Sequence, residues 1–124
     1  LIQRMQEILQ IKSKVDKYQR RLFVKGKMRT LKEIDQILKK YKGELYTKYK
    51  VKEIGIFGSF VRRKQKKRSD IDILVEFEEV PDLLTFINLE RYLSKLLKKR
   101  VDLVEKSSIR PRLKNIILNE VFYV

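Results

Sequence analysis

The chain contains no cysteine and no histidine. The first absence excludes disulfides, thiolate metal sites and cysteine nucleophiles. The second removes imidazole, the commonest general base and metal ligand, and with it every Ser-His-Asp arrangement. Tryptophan is missing as well, and only four glycines and two prolines are present, so each of these punctuating residues carries weight where it stands. No apolar run approaches the roughly 18 to 20 residues that span a bilayer. Residues Leu1 to Gln10 are interrupted by Gln, Arg and Glu, unlike a signal-peptide core. The expected location is cytoplasmic, with no membrane partner.

Positive charge is what the chain has in excess. Thirty-one Lys and Arg stand against sixteen Asp and Glu among 124 residues, a formal net charge of +15. Such a field attracts polyanions: nucleic acid, nucleoside triphosphates or acidic protein surfaces. Hydrophobic residues make up 43%, enough for a core, and the length suits one compact domain. With thiol and imidazole excluded, catalysis would rest on carboxylates, hydroxyls, Lys, Arg and a hard cation such as Mg²⁺.

Residues 1–27 read as a basic amphipathic helix, with Leu1, Ile8, Val15 and Leu22 recurring every seventh position and Gly26 interrupting the pattern. A second helix begins at Thr30, an N-cap with Glu33 three positions on. Its stripe is Leu31, Ile34, Ile37, Leu38 and Tyr41, and Gly43 is expected to end it. From Val51 the period changes. Ile54 to Phe57 form a strand running into Gly58-Ser59, and Ile71, Ile73, Val75 and Phe77 alternate with Asp70, Asp72, Leu74 and Glu76 in another. Pro81 is expected to open a helix carrying Leu83 through Leu97, Val101 to Val104 to form a third strand, and Pro111 to open a last helix. Val121 to Val124 would add an edge strand. The order is a mixed α/β fold with a small sheet.

The chemistry concentrates on three acids. On a strand, Asp70 and Asp72 are two apart and project to one face. Adjacent carboxylates repel unless a cation sits between them. Asp102 is a lone acid between Val101 and Leu103 in an apolar strand and needs a metal, a cation or solvent. Gly58 permits a turn that brings N–H groups to a phosphate, and Ser59 adds a hydroxyl. Three acids beside a phosphate-binding turn are the layout of two-metal phosphoryl transfer.

The run Gly58-Ser59-Phe60-Val61-Arg62, followed by Ser69-Asp70-Ile71-Asp72-Ile73-Leu74-Val75, resembles the signature of the minimal nucleotidyltransferases. These are polymerase-β-like proteins often paired with HEPN-domain toxins. Val101-Asp102-Leu103-Val104 resembles the family's third-acid strand, and Ile109-Arg110-Pro111-Arg112 the start of its last helix. The similarity runs from about Met28 to Val124, which divides the chain into a helical extension, 1–27, and a nucleotidyltransferase domain, 28–124. It implies a small sheet flanked by helices, with Asp70, Asp72 and Asp102 as catalytic acids holding Mg²⁺, two ions by the layout above. It further implies Gly58 and Ser59 on the triphosphate, ATP as donor, and AMP transfer to a tyrosine of a partner toxin. Arg62 alone in its loop matches the family pattern and joins the nucleotide-binding set. The loop then departs from that pattern: Arg63, Lys64, Lys66, Lys67 and Arg68 stand where the family commonly has Gly and then acidic or small residues.

Two other functions fit the same residues: an antitoxin acting by contact alone, and an RNA-directed nucleotidyltransferase, which the net charge favours. Contact alone would not need three acids, and the chain has no length for an RNA-binding domain beyond 1–27. With each acid read as placed for a metal, replacing any one by Asn is expected to leave the apo fold neutral or more stable.

Overall fold

A computed structural model of the protein describes residues 30–66 and 68–124. The basic helix expected over 1–27 lies outside the described residues. Helix α1 (Leu31–Tyr49) is followed by β1 (Val51–Phe57), a 3₁₀ turn (Gly58–Phe60), β2 (Ile71–Phe77), α2 (Leu83–Leu97), β3 (Val101–Glu105), α3 (Pro111–Glu120) and β4 (Phe122–Tyr123). The sheet runs β3-β2-β1-β4. β1 is antiparallel to both neighbours, whereas β2 and β3 are parallel. The mixed α/β fold expected from the sequence is therefore present.

The capping residues explain where the helices start. The Thr30 hydroxyl accepts from the Glu33 N–H at 3.2 Å, as its position predicts. The second helix starts two residues later than Pro81 suggests, at Leu83, because the Asp82 carboxylate accepts from the Thr85 N–H at 2.7 Å and is the true cap. Gly43 does not end α1. The helix continues six residues further, to Tyr49, and stops at Lys50 in the left-handed region. One glycine inside a helix costs only about 1 kcal/mol, and burial of Leu45 offsets that cost.

Ile34, Leu38 and Leu45 of α1 and Phe86, Leu89, Leu93 and Leu97 of α2 pack on Ile54, Ile56, Ile71, Ile73, Val75, Val101 and Leu103. The outer edge of the sheet is closed from α2. The Ser94 hydroxyl accepts from the Val101 N–H at 3.1 Å, and the Glu90 carboxylate accepts from the Leu103 N–H at 2.8 Å. Residues four apart on a helix thus meet the alternate outward N–H groups of an edge strand, which satisfies donors that an open edge would leave bare. Both side chains are buried.

Tyr92 stacks against Tyr49 with ring centroids 5.8 Å apart. Burial, then the hydrogen bond to Glu44, pushes its phenol up from 10.0 to about 12. Between those values the unfolded chain has released the proton and the folded chain has not. The stabilisation is present below pH 10.0 and is lost as pH rises towards about 12. Because the ring is only half-buried, the loss is on the order of 1 kcal/mol after solvent screening. Tyr92→Phe should flatten the alkaline limb of stability measured by urea unfolding across that window. An unchanged limb would show that another group titrates there.

Candidate active site

The site is built where three strands come into register. Phe57 of β1 faces Asp72 of β2, and Asp72 faces Asp102 of β3. In-register neighbours on adjacent strands share a face, so Asp72 and Asp102 stand side by side, the first half-buried and the second exposed. Gly58 follows at the end of β1 with φ +79°, and a Cβ there would overlap the Asp72 carboxylate. The turn and the acid are therefore packed in direct contact, which only glycine permits.

Asp70 lies one residue before β2 and turns to a cation of the chain itself. Arg100 Nε donates to its Oδ1 at 2.7 Å, and the guanidinium also pairs with Oδ2. The Ile71 N–H donates to the Arg100 carbonyl at 2.9 Å, so the starts of the two parallel strands are linked through backbone and side chain. Beside them the buried Lys99 ammonium donates to the Ser69 carbonyl at 3.3 Å, and burial pushes its pKa down. Among the described residues no three His, Cys, Asp or Glu side chains converge to hold a metal ion. The structure brings Asp72 and Asp102 together and places Asp70 on Arg100.

The turn Gly58–Phe60 is tight: the Val61 and Arg62 N–H groups both donate to the Gly58 carbonyl at 3.1 Å, and the Lys64 N–H donates to the Ser59 carbonyl at 2.9 Å. The Gly58 N–H donates to Glu120 Oε1, and Arg62 Nη1 donates to Glu120 Oε2 at 3.2 Å. Two of the three groups assigned to the nucleotide, Gly58 and Arg62, thus converge on one carboxylate. Arg110 and Arg112 are exposed at the start of α3, where no acid stands in the first turn. A cavity of about 440 Å³ has Asp35, Phe60, Gln65 and Phe122 among its walls. None of the three acids lines it.

Arg100, Glu120 and Lys99 are the polar residues of this region that pattern reading missed. Arg100 could have been found by pairing β2 and β3 in parallel, since Asp70 and Arg100 then precede matched positions. Glu120 gives no such signal.

The nucleotidyltransferase domain family matches residues 38–124. The chain belongs to that family. A Thermococcus cleftensis relative named protein adenylyltransferase MntA is 55% identical over 97 residues, 78% of this chain and 98% of the relative. A Methanocaldococcus jannaschii relative, provisionally named a protein adenylyltransferase, is 56% identical over 86 residues, 69% of this chain and 100% of the relative. Among solved structures, a toxin–antitoxin with AMP-PNP is similar at TM-score 0.60 and 27% identity, covering 73% of this chain and 70% of that one. A structure provisionally called a minimal nucleotidyltransferase is similar at TM-score 0.62 and 29% identity, covering 78% of this chain and 98% of that one. The nucleotidyltransferase fold and the enzyme class expected from the signature residues are thereby established.

Proposed function

We propose that this nucleotidyltransferase moves AMP from ATP onto a tyrosine hydroxyl of a HEPN-type toxin and so acts as its antitoxin. One observation carries the reading: Asp72 and Asp102 stand in register on neighbouring strands, with Gly58 packed against Asp72. The relative named protein adenylyltransferase MntA, and the fold shared with a toxin–antitoxin holding AMP-PNP, support the choice of donor and partner.

The donor set is wholly carboxylate oxygen, which fits Mg²⁺. Asp72 and Asp102 would hold it, joined by Asp70 on release from Arg100. When bound, the cation neutralises charge on the triphosphate. The Gly58 N–H, the Ser59 hydroxyl and the Arg62 guanidinium hold the phosphate oxygens. The hydroxyl oxygen bonds to the α-phosphorus as its proton passes to solvent, the bond from the α-phosphorus to the bridging oxygen breaks, and pyrophosphate leaves. Lys99 and Arg100 keep the Ser69-Asp70 segment beside β3.

Full-length protein incubated with labelled ATP and Mg²⁺, and either a HEPN toxin or tRNA, tests the reading. Label on a toxin tyrosine supports it. Label on tRNA favours the RNA-directed alternative, and inhibition of the toxin without label favours contact alone.

We also propose residues 28–124 as the working unit. The buried apolar residues among the described residues run from Ile34 to Ile109. A chain starting at Met28 should fold and should transfer AMP within about twofold of the full-length rate, a difference below roughly 0.5 kcal/mol. Loss of soluble protein on that truncation would move the boundary upstream.

A further inference from the structure

The carboxylate of Glu120 sits where the preceding reading puts a phosphate. It receives the Gly58 N–H on one oxygen and Arg62 on the other. An N–H at a left-handed glycine turn and a guanidinium one turn on are anion receptors, and here the anion belongs to the chain. Helix position does not account for it. Glu120 is the last residue of α3, where the helix dipole disfavours a negative charge. Its side chain is nevertheless only 18% exposed.

The surroundings give this carboxylate a fixed base and a loosely packed arm. On one side α3 buries none of its residues. On the other, the chain after Glu120 is pinned: Val121 packs on Gly55, β4 pairs with β1, the Val124 N–H donates to the Ile54 carbonyl at 3.0 Å, and Lys42 Nζ donates to the Val124 carbonyl at 2.9 Å.

We propose that Glu120 is a resident competitor for the phosphate-receiving groups, which nucleotide must displace from Gly58 and Arg62 before it binds. The inference rests on the reading that this turn receives the triphosphate. Glu120 would then set nucleotide affinity without taking part in the chemistry. It would also keep Arg62 and the Gly58 N–H satisfied, and in place, between turnovers.

Binding of MgATP and of inorganic tripolyphosphate to the full chain, by calorimetry, tests this in Glu120→Gln and Glu120→Ala, with melting temperature recorded for both. Removing the competing charge should tighten both ligands about tenfold, within the usual range of coupling between two sites. In transfer assays KM for ATP should fall while kcat stays within about twofold. The second variant keeps the test open should one fail to fold. Equal or weaker binding by a folded variant overturns the inference and leaves the nucleotide assignment standing. Binding of neither ligand by wild type or by either variant overturns the assignment of the turn, and the inference with it.

Discussion

Asp72→Asn and Asp102→Asn should each cut AMP transfer by about a thousandfold or more, equivalent to some 4 kcal/mol of transition-state stabilisation. The two acids face one another across β2 and β3, so each would supply half of the pair that binds the cation. Neither variant should unfold the protein. Like charges placed directly opposite on neighbouring strands destabilise by roughly 0.2 to 1 kcal/mol, and neutralising one relieves that repulsion. Single-turnover transfer measured beside urea unfolding checks both halves. Wild-type turnover in either variant would sink the assignment. Asp70→Asn should behave differently, and here the structure corrects the expectation from sequence. Its carboxylate is paired with Arg100, whose side chain is 11% exposed, so the amide would take the negative charge out of that pair. The expected cost is about 1 to 2 kcal/mol, in addition to the loss of transfer.

Gly58→Ala should damage both the fold and the transfer activity. Its Cβ would enter the space of the Asp72 carboxylate on a backbone at φ +79°. The left-handed conformation costs an L residue roughly 1 to 2 kcal/mol, and relieving the overlap adds a further ~1 to 3 kcal/mol. Either the turn or the acid must shift, so transfer should fall at least a hundredfold, or ~3 kcal/mol. Gly43→Ala is the internal control. It sits inside α1 with nothing within 4 Å of a Cβ, and should stabilise by roughly 0.5 to 1 kcal/mol with no change in transfer. Thermal melts of the two variants should therefore move in opposite directions. A Gly58→Ala protein with native stability and rate would show the turn to be softer than described.

Much of this could be read before any coordinates, for local reasons. Period-two alternation identified β2 through Ile71, Ile73, Val75 and Phe77, which are buried. Thr30 and Pro111 announced helix starts because their effects act within one turn. Gly43 misled because its local cost is small beside the burial of Leu45 beyond it, a tertiary term that no window of sequence contains. Asp82 was masked by its neighbour Pro81. The remaining gaps concern pairing. Asp70, Asp72 and Asp102 are identifiable as acids by pattern, but the meeting of Asp70 with Arg100 depends on β2 and β3 running parallel. Glu120 reaches Gly58 across 62 positions, and no periodicity reports a contact of that range.

The bonds from Ser94 and Glu90 to the N–H groups on either side of Asp102 make helix and acid one mechanical piece. Asp102 cannot draw back from Asp72 unless α2 travels with it, and that would pull Leu89, Leu93 and Leu97 out of the core. Displacing even one fully buried leucine forfeits about 1.5 to 3 kcal/mol, so the backbone of β3 that carries Asp102 is held in its place beside β2.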